Sequence, residues 1–414
     1  MRRVQAALSH GLAIARPEGA SSGPFDGDKE VELLIELWAL GLVGARTIRD
    51  IAKAAHATAP RPQTLALGSM SDANLHRGLV RKLNLGALNL PEVYKVPLLL
   101  WDTQQRPPCK SLVDYPILLP HEYFSCLYNE YPGHFSKYVH GHAPLSEFWR
   151  HIPEGAERLA GHPIELIDGF RDNAIPLKIH GDAVPCGRAK GRSLDVISLS
   201  SLLADAGATW DTRVYVAGVM TGAKFKGDDT DPGTMESIWA VVMWSLACLR
   251  KGTWPATDHL GAPWPAGSVR ASKAGSRLCG PHSLPLFAVA ADADYLSNYL
   301  GLAHFNSVVA PCYRCRCNRA DTPWSDFRPT ARWRSTSLTR IDYMLQGSKH
   351  LLFDSPQVGV TPLHVVIDIL HALDLGVLQH VAGSTLYMVA FDAALGGAAG
   401  ATHRKDLGGL ELGL

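Results

Sequence analysis

Residues 175–187 read IPLKIHGDAVPCG, an apolar run that ends on a glycine and a carboxylate. Aliphatic and β-branched side chains up to Ile179 are typical of a buried strand. Gly181, Asp182 and Pro185 are also common turn residues, so an ordinary turn is one interpretation. The other interpretation is that the strand holds Asp182 in a fixed position, which requires partners for this carboxylate elsewhere in the chain.

Other segments extend this strand into a sheet. The runs 193–201 (SLDVISLSS) and 212–220 (TRVYVAGVM) predict two more strands, a long helix is predicted over 234–249, and 284–292 (LPLFAVAAD) predicts a fourth strand. A helix is expected directly after this strand, over 293–303, and a further apolar helix around 364–381. This order is the one expected of a ribonuclease-H-like sheet, in which the first and fourth strands lie side by side. The sequence therefore predicts an α/β protein with a ribonuclease-H-like mixed sheet flanked by helices, preceded by a mainly helical N-terminal region.

Neighbouring first and fourth strands give Asp182 a partner. The end of the fourth strand carries Asp292, and Asp294 follows two residues on. Carboxylates on adjacent rigid strands suit two Mg²⁺ ions about 4 Å apart, which clamp the attacking and leaving oxygens of a phosphodiester. Acids at strand ends that bind nothing are the competing interpretation.

Length and composition exclude several other classes of protein. The 414 residues allow two or three domains, and 40 Lys+Arg against 39 Asp+Glu give a net charge of +1. Any nucleic-acid binding must therefore come from local patches. Eight cysteines suit a reducing compartment, and the longest apolar helical run, 237–249, is too short to span a bilayer. These features predict a soluble intracellular protein with no membrane partner.

Four short stretches resemble the transposase domain of eukaryotic cut-and-paste elements of the CACTA and Plavaka type. They are IHGDAVPCG, AVAADADYLSNYLGL, APCYRCRCNRADTPW and VIDILHALDLGVLQH, and their order along the chain matches. The resemblance covers roughly residues 115–390. It implies a DDE/D transposase that cleaves and joins double-stranded DNA at transposon ends in the nucleus, with Mg²⁺ or Mn²⁺ as cofactor and a homo-oligomer as a candidate assembly.

The resemblance assigns roles to individual residues. Asp182 takes the place of the first catalytic acid and Asp292 that of the second, with Asp294 as a rival; Asp182 and Asp292 would hold the metal. Asp368 and His371 match an Asp-x-x-His element that supports the active site, although a core helix is the competing interpretation.

Such enzymes also need a third acid, usually a Glu on a later helix. The sequence past His371 contains only four acidic residues, Asp374, Asp392, Asp406 and Glu411. The expectation is therefore a fragment or a degenerate copy, and the alternative function is a catalytically inactive, transposase-derived DNA-binding or interaction protein.

A cysteine cluster is the candidate zinc site. Cys312, Cys315 and Cys317 lie within six residues, and Cys-x-x-Cys is a common half of a structural Zn²⁺ site. The other half is sought in Cys279 and His282, or in Cys317 together with His304. Free thiols in a compact turn are the competing interpretation.

The segment 312–340 is also the best nucleic-acid patch in the chain. It holds seven Arg against two Asp, with aromatic residues between them. The predicted DNA contacts are Arg314, Arg316, Arg319, Arg328, Arg332, Arg334 and Trp333. A surface loop whose aromatic residues simply pack it down is the competing interpretation.

The predicted organisation has four parts. Residues 1–28 form a flexible lead-in, 29–165 the mainly helical region, 166–390 the transposase domain with a Cys/Arg-rich insertion at 304–340, and 391–414 a Gly-rich tail that looks truncated. Two helices over 30–56 predict a helical hairpin, with a helix-turn-helix as the DNA-binding alternative. Most of the histidines between 121 and 142 are expected at the surface, since no pair of them has a convincing metal-ligand context. An unrelated α/β enzyme with the CGRAKGR loop as a phosphate site is a third function, but this loop lacks the P-loop pattern.

Overall fold

A computed structural model describes residues 27–39, 43–71, 75–82, 91–103, 105–186, 193–204, 212–304, 306–346, 350–366 and 378–387. These residues form a mixed α/β protein in which helices flank a mixed sheet. The strands are β1 Tyr94–Asp102, β2 Cys109–Ile117, β3 Leu177–Pro185, β4 Ser193–Ser201, β5 Arg213–Met220, β6 Leu286–Ala291 and β7 Val365–Val366. The helices are α1 Lys29–Ala39, α2 Ala45–Thr58, α3 Pro62–Gly68, α4 Leu75–Lys82, α5 Pro120–Glu130, α6 Pro132–Phe135, α7 Leu145–Arg150, α8 Phe170–Asn173, α9 Thr234–Lys251, α10 Val269–Lys273, α11 Arg340–Gln346, α12 Leu351–Asp354 and α13 Gln379–Tyr387.

The central sheet has the strand order β5-β4-β3-β6-β7. Strands β3, β4 and β5 pair antiparallel, whereas β6 is parallel to β3 and β7 is parallel to β6. The first and fourth predicted strands are therefore neighbours, as the element order requires. All six residues of β6 are buried, as expected for a strand that is paired on both edges and covered on both faces.

The long central helix α9 is the core helix that the apolar run predicts. Buried residues recur on it at helical spacing, among them Ile238, Val242, Leu246 and Leu249. The helix ends at Gly252, whose φ of +70° is readily adopted only by glycine. No helix in the described part of the chain is long and apolar enough to cross a membrane.

Two helix predictions in the C-terminal half are wrong in part. The helix expected around 364–381 is absent at its start, where Pro362–His364 form a 3-10 turn and Val365–Val366 form β7. These β-branched residues pair instead with the open edge of β6, Val365 lying opposite Val289. The helix expected after the fourth strand is only the π-turn Tyr295–Tyr299.

The N-terminal helices have a small core of their own. It contains Val31, Leu34, Trp38, Ile48, Ala52, Leu67 and Leu79. The predicted helical hairpin over 30–56 corresponds to α1 and α2. Within α2, Arg49 forms an ion pair with Asp50. The helix-turn-helix assignment and its DNA contacts stay a prediction.

The segment between this small core and the sheet is not purely helical, because β1 and β2 form an antiparallel hairpin. The hairpin and α5 contribute Leu98 and Phe124 to the same core that holds Ile179 of the central sheet. The hydrophobic core therefore continues across the boundary that the sequence placed at 165/166.

The histidines of α5 and the following turn correct another expectation. His121 is fully buried, where its imidazole Nδ1 lies 2.7 Å from the Ser245 hydroxyl, and His134 is buried too. Burial lowers the pKa of His121 to about 3. Only His142, which is exposed, and the half-buried His140 have access to solvent.

Candidate functional site

The candidate active site lies where β6 ends beside β3. Gly181 is the register partner of Ala291, and Asp182 and Asp292 each follow one residue later. Asp182 lies within β3, where it pairs with Val196 of β4, and Asp292 is the first residue beyond β6. Neighbouring strands are about 4.8 Å apart, so the backbones of the two aspartates lie side by side. Both residues are half-buried. The structure thus places the two predicted partners at adjacent register positions of neighbouring strands.

Asp292 also has a local structural role. Its carboxylate oxygen Oδ1 accepts a hydrogen bond of 2.6 Å from the backbone N–H of Tyr295, and its carbonyl accepts one from Leu296. Asp292 therefore caps the turn Tyr295–Tyr299. The capping bond engages one of the two carboxylate oxygens, and Oδ2 is not used by it.

Asp294, the alternative to Asp292 as second acid, lies in a different environment. It is exposed, and its Oδ1 accepts a hydrogen bond of 2.7 Å from the Asn298 side chain. Because it lies on the turn beyond the end of β6, it does not share the register position of Asp292 beside Asp182. Of the two candidates, the geometry favours Asp292.

Gly181 is needed for packing and not for a turn. A Cβ atom there would lie 2.1 Å from the ring of Tyr295, which is only 2 % exposed. Burial raises the pKa of Tyr295, and the nearby carboxylates of Asp195 and Asp182 raise it further. Within the described residues its buried hydroxyl has no hydrogen-bond partner. The glycine allows this ring to pack directly on the strand that carries Asp182.

Sequence reasoning missed an ion pair next to these residues. Asp195 is fully buried on β4, opposite Ala183, and its carboxylate pairs with the Lys224 ammonium. Lys224 Nζ also lies 4.3 Å from the centre of the Tyr299 ring, which stacks on Tyr295 at 4.7 Å. The sequence did contain a signal for this ion pair. An acid in the middle of the apolar strand SLDVISLSS is buried and therefore needs a partner.

These contacts distinguish an acid that is already paired from the acids whose oxygens can bind a metal. Asp195 is neutralised by Lys224, whereas no described residue forms a hydrogen bond or ion pair with the carboxylate of Asp182. Asp182 and the second oxygen of Asp292 are hard oxygen ligands on rigid strands, the donor type that Mg²⁺ and Mn²⁺ prefer. The residues present therefore fit a hard divalent cation.

Asp368 and His371 lie outside the described residues, as do the later acids and residues 187–192 of the CGRAKGR loop between β3 and β4.

The three cysteines of the insertion do come together. The Sγ atoms of Cys312, Cys315 and Cys317 all lie within 4.8 Å of one another. Cys315 and Cys317 are buried and Cys312 is half-buried. Burial, together with the neighbouring Cys315, raises the pKa of Cys317 to about 12.

The expected second half of the zinc site lies elsewhere. Cys279 and His282 pair with each other through a backbone bridge, and the ring of His282 packs 5.1 Å from that of His140. Neither belongs to the group formed by the three cysteines, nor does His304. The reason is that the fully buried Cys279 is held in the main core, next to Leu278 and Leu284.

The arginine-rich segment is partly exposed and partly used internally. Exposed members are Arg316, Arg319, Arg328, Arg332 and Arg334. Arg316 pairs with Asp342 and Arg328 with Asp326, while Arg314 donates to the Leu363 carbonyl at 2.9 Å. In the described part of the chain, Arg319, Arg332 and Arg334 have no carboxylate partner, which leaves three cations for an external anion.

The aromatic residues of this segment are mostly engaged. Trp333 is half-buried and its indole N–H donates to the Asp326 carbonyl at 2.7 Å, while Arg334 lies over its ring. Phe327, by contrast, is 80 % exposed. Trp333 therefore acts as a support for Arg334, and Phe327 is the aromatic side chain free for stacking.

Comparisons with protein-family models, with curated proteins and with solved structures find no significant match for this chain.

Proposed function

We propose that this protein is a DDE/D-type DNA transposase, which cleaves phosphodiester bonds of double-stranded DNA and transfers the resulting strand. The observation that carries the proposal is the position of Asp182 and Asp292, one residue beyond the pairing of Gly181 with Ala291. Two acids at the same level of adjacent parallel strands are what metal-assisted phosphodiester chemistry requires.

The topology supports the finer fold assignment. Three antiparallel strands, the long helix α9 and a strand parallel to the first one at its open edge follow the order expected of a ribonuclease-H-like sheet. We therefore include this fold in the proposal, together with the motif resemblance of the segments around Asp182, Asp292 and Cys312.

The protein side of the chemistry follows from the positions of the residues. Asp182 and Asp292 would hold Mg²⁺ or Mn²⁺, which supplies Lewis-acid activation of water or of a 3′-hydroxyl. The capping bond from Tyr295 fixes the orientation of the Asp292 carboxylate. The Tyr295 ring, packed on Gly181, excludes water from one side of the strand ends. Asp368 and His371 are proposed to support the site on the resemblance alone.

The exposed arginines supply the DNA-binding surface of the proposal. Arg319, Arg332 and Arg334 would contact phosphates, and Phe327 would stack on an exposed base. A substrate of transposon ends places the protein in the nucleus, and joining two ends calls for a homo-oligomer.

One observation favours a second function. Because Asp292 caps the turn Tyr295–Tyr299, its presence has a structural explanation without any metal. The second proposal is therefore a catalytically inactive, transposase-derived DNA-binding protein that retains the fold and the arginine surface.

A matched set of aspartate variants tests both proposals. Supercoiled plasmid is incubated with the full chain and Mg²⁺ or Mn²⁺, and Mn²⁺ binding is measured by electron paramagnetic resonance. The variants are Asp182→Asn and Asp292→Asn, with Asp294→Asn as the control. Asparagine keeps a side-chain oxygen that can cap the turn, so Asp292→Asn should remain folded.

We expect the first two variants to lose both Mn²⁺ binding and plasmid cleavage, and Asp294→Asn to retain both. Mn²⁺ binding that depends on both aspartates, without cleavage by the wild type, would favour the inactive protein. Mn²⁺ binding that neither variant alters would overturn the proposed active site.

A further inference from the structure

The cysteine cluster has no role in the proposed DNA chemistry. Its three sulfur atoms lie within 4.8 Å of one another. In a tetrahedral site with Zn–S bonds of about 2.3 Å, sulfur atoms are about 3.8 Å apart. Small side-chain adjustments therefore bring the three sulfurs to ligand positions around one ion.

We propose that Cys312, Cys315 and Cys317 bind one Zn²⁺ as thiolates, with the fourth ligand supplied from outside the cluster. Thiolates select soft or borderline ions such as Zn²⁺ and disfavour Mg²⁺. Binding converts three thiols to thiolates and releases three protons. This inference does not depend on the proposed transposase activity.

The backbone of the turn is arranged for a negatively charged sulfur. The N–H of Arg314 donates to Cys312 Sγ at 3.2 Å. Hydrogen bonds to an ionised acceptor are stronger than those to a neutral one, so this bond strengthens when the thiol loses its proton. Three thiolates and one divalent ion leave a net charge of −1, which the adjacent cation Arg314 offsets.

In the described part of the chain, the cluster is open on one side, where a fourth ligand can reach it. Among the described His, Cys, Asp and Glu residues, none joins these three cysteines. Cys312 is half-buried, and all three line a cleft of about 890 Å³ that Arg316, Tyr343 and Asp354 border as well. Water or a small ligand can reach the ion from this cleft, as at zinc sites that keep an open position.

A bound ion would stabilise both ends of the arginine-rich segment, because backbone contacts join these two ends. Cys315 forms a backbone bridge with Ser337, and the N–H of Leu338 donates to the Arg314 carbonyl at 2.9 Å. A metal bound at the first end therefore stabilises the whole segment between them. Removing the metal should lower the melting temperature, because a ligand that binds only the folded state stabilises it.

The test measures metal content and the number of thiolate ligands. The full chain is purified under reducing conditions, its zinc is quantified, and Co²⁺ is then exchanged into the site. We expect one metal ion per chain and a near-ultraviolet thiolate-to-Co²⁺ charge-transfer band with the intensity of three thiolates. Cys312→Ser should lose the band or reduce it to two thirds of its intensity.

Two further variants separate ligation from folding. Cys312→His keeps a ligand atom at the half-buried position, so it should restore metal binding with two thirds of the band. Cys279→Ser removes a buried thiol outside the cluster and should leave both metal content and band unchanged. Three results would each overturn the proposal: no bound zinc with thiols that react equally fast with and without Zn²⁺, a disulfide within the cluster that survives mild reduction, or a band that all variants retain.

Discussion

Asp182 of β3 and Asp292, the first residue after β6, lie side by side, each one residue beyond the register pair Gly181 and Ala291. A parallel pair of strands places residues of equal register side by side, so the carboxylates come from rigid neighbouring backbones. The same edge of the sheet also carries the Asp195–Lys224 ion pair and the ring of Tyr295. The candidate site is thus a set of acids of which one is neutralised and two are not.

Gly181 should be intolerant of any side chain. Gly181→Ala places a Cβ 2.1 Å from the Tyr295 ring, and we expect a loss of about 1–3 kcal/mol in the free energy of unfolding, typical of an overpacked core. Urea denaturation measures it. Gly133→Ala is the control, since nothing lies within 4 Å of a Cβ there. Equal stability of both variants would contradict the packing of Tyr295 on β3.

Lys224 should be important for stability because its partner is fully buried. Lys224→Met leaves the Asp195 carboxylate unpaired in the core, which typically costs about 3–5 kcal/mol. Adding Asp195→Asn removes the charge and should recover most of the loss. A double-mutant cycle from denaturation curves checks this; losses that simply add would show that the two residues do not interact.

The arginine surface should contribute to DNA affinity through charge. The double change Arg332→Gln and Arg334→Gln should weaken binding and flatten the plot of log K against log salt by about 0.9 for each lost phosphate contact. Fluorescence anisotropy with duplex DNA at several salt concentrations measures the slope. Arg150→Gln, an exposed arginine on α7, is the matched control. An unchanged slope in the double variant would exclude these arginines from the DNA interface.

Buried histidines should make the protein sensitive to acid. His162 and His364 are buried with ring centres 5.3 Å apart, and burial lowers the pKa of each to about 3. The unfolded chain binds their protons below about pH 6.5, so stability is present above that pH and is lost as the pH falls toward 3. As the pH falls from 7 to 5, protonation of each imidazole in the unfolded chain should lower the free energy of unfolding by about 2 kcal/mol.

The variant His364→Gln isolates this effect. It should be less stable than the wild type at pH 7, because the imidazole accepts from the Thr361 N–H and lies 2.9 Å from the Arg158 carbonyl. Its stability should nevertheless change less between pH 7 and pH 5. His151→Gln, at an exposed position, should leave the pH dependence as it is. If His364→Gln keeps the full dependence, these buried rings are not its cause.

Local patterns sufficed for the strands that approach the site. Alternating or continuous apolar runs predicted β3 to β6 closely, since a buried strand needs such runs whatever surrounds it. The short strand β7 was not predictable, because two residues carry no periodicity and become a strand only by pairing with β6. The burial of His121 was missed for a similar reason: its neighbour Ser245 lies on a distant helix.

The sequence by itself determined which residues carry chemistry: an acid after each of two predicted strands, three clustered cysteines and seven arginines in one segment. It also indicated that the two strands would be neighbours. Only the tertiary structure placed Asp292 next to Asp182 and Asp294 on an exposed turn, separated Cys279 and His282 from the cluster, and revealed Lys224 as the partner of Asp195. The reason is physical. Residue type and strand ends depend on short-range patterns, whereas contacts between side chains far apart in the chain depend on how the whole core packs.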